Sequence, residues 1–258
     1  MRMQTLQRHG EYQVTLSNAP LVATEVEAMA RLLGHKGEPW LADIRRRYAG
    51  RGPDFCVVAW LGDQPVSHLW VGPDASYPRF AVLGHVFTAP EHRRRGLAGI
   101  LLEAALARSD TCPDRLLVLG VDNPAAAALY ERAGFRTLHG PDGSGHRVMI
   151  RGAGVDDLLA RRWPVGSGPL RRMPFGASHY AGGILLMNAF PGAAKLPSLG
   201  ITDGHDTELR LLQGMERSGH DGETLDALVD GTTDCLVGLA HANRHGCWRY
   251  LALGPGTD

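Results

Sequence analysis

The chain is predicted to fold as a mixed α/β protein, on three observations. Strand-like runs at residues 55–61, 66–71 and 79–88 follow one another, with turn chemistry at Gly62-Asp63-Gln64-Pro65 between the first two. The hydrophobic period then changes, and Leu97, Ile100, Leu101, Ala104 and Ala105 fall on one helical face. A continuous apolar run at residues 116–121, as expected of a strand covered on both faces, separates that helix from a second one.

The remaining elements fill in around these. Residues 12–17 can form a first strand. Residues 22–33 carry an apolar helical face, and residues 40–48 read as a short helix rich in arginine. After residue 121, Asn123 can cap a helix that has Pro124 at its first position. Ala126, Leu129, Tyr130 and Ala133 line one side of it, and Gly134 ends it. Residues 135–138 and 147–150 read as closing strands around a glycine-rich turn. Beyond residue 153 the pattern is harder to read. Short helices are expected at 156–162, 207–217 and 223–229, an apolar stretch at 184–189, and a hairpin from 235–240 and 247–253. Gly- and Pro-rich dividers lie at 164–176 and 191–205.

Composition excludes several classes. The 258 residues suffice for one large or two modest domains. Lys plus Arg and Asp plus Glu both number 27, so the formal charge is zero, without the basic excess of a duplex nucleic-acid binder. No apolar run is long enough to span a bilayer and the first residues lack a signal-peptide core, so a cytoplasmic location with no membrane partner is the expectation. Cys56, Cys112, Cys235 and Cys247 form no C-x-x-C pair. His179, His205, His220, His241 and His245 show no metal-site spacing, so no metal is expected.

The chemistry concentrates in Val86-Phe87-Thr88-Ala89-Pro90-Glu91-His92-Arg93-Arg94-Arg95-Gly96-Leu97-Ala98. Here a strand enters a basic, glycine-containing turn that opens a helix. Main-chain N–H groups at a helix start are unpaired, and the helix dipole there favours an anion. Gly96 and Ala98 leave room for a phosphate to approach the backbone, and Arg93, Arg94 and Arg95 add positive charge. A solvated basic turn is the plainer alternative. A second motif follows at Asn123-Pro124-Ala125-Ala126-Ala127-Ala128-Leu129-Tyr130-Glu131-Arg132-Ala133-Gly134-Phe135.

Together these segments resemble the GNAT superfamily of acyl-CoA-dependent N-acyltransferases. Arg93, Gly96 and Ala98 match its Q/R-x-x-G-x-G/A motif, and residues 123–135 match N-x-x-A-x-x-L-Y-x-x-x-G-F. The resemblance covers roughly residues 12–153 and is sharpest over 86–135. It implies a GNAT acyltransferase fold at 1–153 with a C-terminal α/β extension at 154–258. It also implies acetyl-CoA or another acyl-CoA as cosubstrate. The pantetheine arm would lie along Val86, Phe87 and Thr88, and the diphosphate on Arg94, Arg95, Gly96, Leu97, Ala98 and Gly99, with Arg93 in the motif and Asn123 touching the arm. A main-chain N–H near Val86 or Phe87 would polarise the thioester. Tyr130 would be the general acid, its alternative being a packed aromatic.

The base is less defined. Residues 116–121 offer no carboxylate, a departure from relatives that carry a glutamate there. His85 is the first candidate, with His68 and Glu38 behind it. The acceptor is expected to be a small-molecule amine. An acyl group on a carrier protein is an alternative donor, and a non-catalytic acyl-CoA sensor an alternative role. A faint echo links Thr24-Glu25 and Gly34-His35-Lys36-Gly37-Glu38 to Thr207-Glu208 and Gly219-His220-Asp221-Gly222-Glu223. It suggests that residues after about 180 form a degenerate partial GNAT-like repeat, covering the acceptor site or forming a homodimer surface. Chance similarity is the alternative.

Overall fold

A computed structural model describes residues 4–160, 162–164, 168–189, 199, 207–220, 222–242 and 248–253. It is a mixed α/β structure with mostly antiparallel strands. The chain divides into two compact units, Met1–Gly72 with Val82–Pro113, and Pro73–Ala81 with Asp114–Asp258.

In the first unit the strands run in the order β1 (Gln4–His9), β2 (Tyr12–Asn18), β3 (Phe55–Leu61), β4 (Gln64–Pro73) and β5 (Phe80–Thr88), the last two extending into the loop 73–81. The first four pair antiparallel in succession, with Val58 opposite His68 in the β3–β4 register. Strand β1 escapes a reading based on apolar alternation. Each of its residues is exposed, and pairing to β2 alone holds it at the edge. Val14, Val57, Ala59, Val66 and Leu69 are fully buried in the sheet. Helices α1 (Ala23–Leu32) and α2 (Trp40–Ala49) pack on each other, and α3 (Leu97–Ser109) packs on β3. Leu97, Leu101 and Leu102 of α3 are buried, each burial worth about 2 kcal/mol.

The second unit contains β6 (Leu116–Val121), α4 (Pro124–Arg132), β7 (Arg136–His139) and β8 (Arg147–Gly152), with strand order β6-β8-β7. It continues through α5 (Val155–Leu159), β9 (Leu170–Pro174), α6 (Tyr180–Ala189), α7 (Thr207–Arg217), β10 (Thr224–Asp230), β11 (Leu236–Ala242) and β12 (Trp248–Leu253). The last four strands form an antiparallel sheet in the order β12-β11-β10-β9. Helix α6 is buried along its whole length, which explains its unbroken apolar sequence. The carboxylate of Asp74, itself buried, accepts the main-chain N–H groups of Ala181 and Gly182, both at 2.8 Å, at the start of that helix. The ring of Phe80 lies 5.4 Å from that of Trp163.

One expectation for the C-terminal region is corrected. Residues 223–229 are not helical, because Leu225, Ala227 and Val229 alternate into the core with period two and β10 is paired on both sides. The internal echo does not align like elements, but the order of elements recurs: β9-α6-α7-β10-β11-β12, in sheet order β9-β10-β11-β12, has the same succession as β2-α1-α2-β3-β4-β5, in sheet order β2-β3-β4-β5. The first member of the echo leads into helix α2 and the second into strand β10, so the echoing residues themselves are not at equivalent positions. Strand β9, inside a divider expected to be irregular, was not anticipated; its Leu170-Arg171-Arg172-Met173-Pro174 shows no strong alternation and gains its order from pairing with β10.

Candidate acyl-CoA site

Strand β5 does not run straight to its end. His85 has φ 51°, a left-handed conformation that costs a non-glycine residue roughly 1–2 kcal/mol and turns the main chain at Val86. The His85 ring is buried, 5.7 Å edge-on from Trp40 and 5.1 Å from Trp70. Burial first, then the Lys36 charge, holds its imidazole well below the usual histidine range, so the ring is neutral. Ser67 on β4 donates to the Phe87 carbonyl at 3.1 Å and bonds the Thr88 hydroxyl at 2.8 Å. The Phe87 ring stacks on His35 at 4.1 Å.

Beyond β5 the chain makes a turn through Pro90–His92 and reaches two left-handed residues, Arg94 (φ 60°) and Gly96 (φ 79°). Gly96 is the N-cap of α3, and no side chain caps that helix. A glycine here avoids the backbone cost that any Cβ would bring, and the only atom near a Cβ would be His9 Nε2 at 3.9 Å. Alternating left-handed residues before an uncapped helix start make a concavity of main-chain N–H groups suited to an anion.

The arginine triplet divides its labour. Arg93 donates through Nε to the Thr88 carbonyl at 3.0 Å, bracing the end of β5. Arg95 donates to the Tyr12 hydroxyl at 2.6 Å and pairs with Glu11 at 2.9 Å, which ties the turn to β2. Arg94 has no side-chain partner among the described residues and is exposed.

Two predicted site residues belong to the second unit. Asn123 Oδ1 accepts the N–H groups of Ala125 (2.9 Å) and Ala126 (3.3 Å), so the expected cap of α4 forms. Tyr130 is 5% exposed and packs edge-on against Phe135 at 5.7 Å. Burial pushes its phenol up to about 12, so it holds its proton across the neutral range. Its hydroxyl has no hydrogen-bond partner among the described residues.

The weaker base candidates are committed elsewhere. Glu38 Oε2 accepts the Ala42 N–H at 2.8 Å, inside the first turn of α2. His68 is fully buried and burial lowers it to about 4. Among the described residues, no cluster of His, Cys, Asp or Glu could hold a metal ion, and no helix is long and apolar enough to cross a membrane. His205 and His245 lie outside the described residues.

Behind β5 lies a buried polar cluster that spacing alone did not reveal. Asp43 accepts from Arg47 Nε at 2.6 Å, and Arg46 also pairs with Asp43. Asp54 accepts the Trp70 indole N–H at 2.9 Å and lies 3.5 Å from Arg47. The Arg47 guanidinium sits 4.8 Å from the Trp70 ring that packs on His85. The sequence signal was the i, i+4 pair Asp43–Arg47 on α2; the third member, at the entrance to β3, needs the tertiary fold.

Residues 25–135 match the family model described as "Acetyltransferase (GNAT) family". A Mycobacterium tuberculosis protein named "Probable N-acetyltransferase" is 29% identical over 106 residues, 40% of this chain and 60% of that protein. The chain thus spans about 60% of the length of that curated relative. Among solved structures, an acyl-CoA N-acyltransferase from Pseudomonas aeruginosa aligns at TM-score 0.46 and 21% identity, over 54% of this chain and 99% of that one. Escherichia coli ElaA aligns at TM-score 0.43 and 19% identity, over 55% and 98%. Both motifs lie inside the segment, residues 25–135, over which this chain matches the acetyltransferase (GNAT) family model.

Proposed function

We propose that the chain transfers an acyl group, acetyl in the first instance, from acyl-coenzyme A to a small-molecule amine. The observation that carries this reading is the left-handed Arg94–Gly96 turn opening the uncapped helix α3 after β5, whose own course includes the left-handed His85. The diphosphate is assigned to the N–H groups of Arg94–Gly99, with Arg94 as the added cation. The pantetheine is assigned to the edge formed by Val86, Phe87 and Thr88. Asn123 touches the arm through Nδ2, since Oδ1 serves the helix. In domain terms, residues 1–153 form the catalytic module and 154–258 its extension.

In the reaction the acceptor nitrogen attacks the thioester carbonyl, forming the C–N bond. The C–S bond then breaks, and the departing thiolate takes the Tyr130 phenolic proton. A phenol held near 12 suits that role, because it arrives protonated at neutral pH. His85 is the candidate to receive the amine proton. Its neutral ring has a free lone pair, although burial makes it a weak base.

The test begins with calorimetry of coenzyme A and a thiol-release assay of acetyl-CoA against a panel of amines. Heat and release together are expected. Binding with no release from any acyl donor would replace this reading with a sensor, and no heat at all would reject it. Tyr130→Phe is expected to lower kcat by about 100-fold while leaving coenzyme A affinity within twofold. Equal losses in both, or in neither, would remove Tyr130 from the acid role. A kcat/KM acid limb unchanged in His85→Ala would remove His85 as the base.

A further inference from the structure

The left-handed residue His85 in β5 is held by a buried hydrogen-bond chain that the reaction scheme does not use. His68 lies on β4, is completely buried, and its Nδ1 stands 2.8 Å from the His85 carbonyl oxygen. Its Nε2 stands 2.5 Å from the Tyr48 hydroxyl on α2, which is also buried. A carbonyl can only accept, so Nδ1 carries the proton. Nε2 is then the acceptor for the Tyr48 O–H, because burial keeps the ring neutral. The chain therefore runs in one sense, Tyr48 O–H to His68, and His68 N–H to the His85 carbonyl. The adjacent β4 residue, Ser67, donates to the Phe87 carbonyl. Two consecutive side chains thus grip alternate carbonyls of the segment from His85 to Phe87, where the backbone has left the ordinary strand conformation.

A histidine at φ 51° inside a strand persists only where its surroundings over-determine it. We propose that His68, itself fixed by Tyr48, is a positioning residue that locks the His85 carbonyl and so aims the Val86 and Phe87 N–H groups at the thioester carbonyl of bound acyl-CoA. This rests on the acyltransfer reading above, and deepens it by naming what sets the polarising donor. His68 touches neither cosubstrate nor acceptor; it acts through the main chain of β5. Asparagine at position 68 can place an amide N–H where the imidazole Nδ1–H stands, whereas leucine fills the space and donates nothing.

The experiment compares the wild type with His68→Leu, His68→Asn and Tyr48→Phe. Coenzyme A calorimetry reports the diphosphate loop. Isotope-edited infrared of acetyl-CoA carrying a 13C carbonyl reports polarisation of the thioester. Amide 1H–15N shifts of Val86 and Phe87 in the ligand-free protein report the backbone after His85. The expected result is coenzyme A affinity within twofold throughout, with the thioester band moved to lower frequency on binding in the wild type. That displacement is lost in His68→Leu, largely kept in His68→Asn and reduced in Tyr48→Phe, with kcat following the same order and falling at least 30-fold in His68→Leu.

Val86 and Phe87 amide shifts and a thioester band unaltered in His68→Leu would overturn the proposal, as would a uniform loss that His68→Asn does not rescue. If His68→Leu fails to fold, His68→Asn against Tyr48→Phe decides: equal bands and unmoved amides in both would overturn it. Absence of acetyl-CoA heat in the wild type would reject the acyltransfer reading instead, and the ligand-free amide shifts would still judge the lock.

Discussion

The turn at Arg93–Gly99 and the cluster behind His85 are neighbours in one unit, yet they are built on opposite principles. The turn is exposed, its main chain is shaped by local sequence, and one of its three arginines has no side-chain partner among the described residues. The cluster is buried, draws on α2, the entrance to β3, β4 and β5, and pairs its carboxylates with Arg47 and Trp70. A ligand-gripping surface can tolerate side-chain change with modest loss. A buried polar frame cannot, because a missing partner strands a charge or a carbonyl out of water.

The contrast is sharpest where the frame loses its cation. Arg47→Ala leaves the Asp43 and Asp54 carboxylates buried together, and is expected to cost on the order of 3–5 kcal/mol in urea unfolding. A loss below about 1 kcal/mol would show that the cluster is no frame at all.

Next comes acid. Unfolded His68 takes up a proton near pH 6.5, but the native residue only near about 4. Between those values the unfolded chain binds more protons, so stability must fall as pH is lowered through that window. His68 contributes on the order of 3 kcal/mol, and His85 acts in the same direction. Unfolding free energies measured at pH 7, 6, 5 and 4 should fall steadily, and His68→Asn should flatten the slope. A flat wild-type profile would break the contrast from the other side.

The smallest effect belongs to the turn. Arg94→Ala should weaken coenzyme A binding by about 5-fold, roughly 1 kcal/mol, in a salt-dependent way, with an unchanged melting temperature. Arg95→Ala should instead lower the melting temperature, since it unties Tyr12 and Glu11 from the turn. Reversal of that pair would mean the wrong arginine has been assigned to the phosphate.

The same contrast explains what could be read in advance. The strand, turn and helix from β5 to α3, and the motif on α4, were legible because they are local. A glycine at a fixed distance from an arginine, or an asparagine before a proline, states its conformation within a few residues. The division of labour among Arg93, Arg94 and Arg95 was not, since Arg95 finds its side-chain partners, Glu11 and Tyr12, more than eighty positions away. His68 and His85 were each visible as histidines on strands, but only the pairing of β4 with β5 makes one the support of the other. In the C-terminal region, Leu225, Ala227 and Val229 carry a period-two signal too short to outweigh the helical appearance of Glu223 and its neighbours. Strand β9 takes its order wholly from its partner.

The bond between Asp74 and the start of α6 has a consequence for how the molecule is made. Its two ends are 107 positions apart. At ordinary rates of translation the hairpin that carries Asp74 leaves the ribosome roughly 5–20 s before the helix that covers its carboxylate. For most of that interval Phe80 also waits for Trp163. The nascent chain therefore offers chaperones an unfinished hairpin tip, and a stop codon placed after β8 would make that interval permanent.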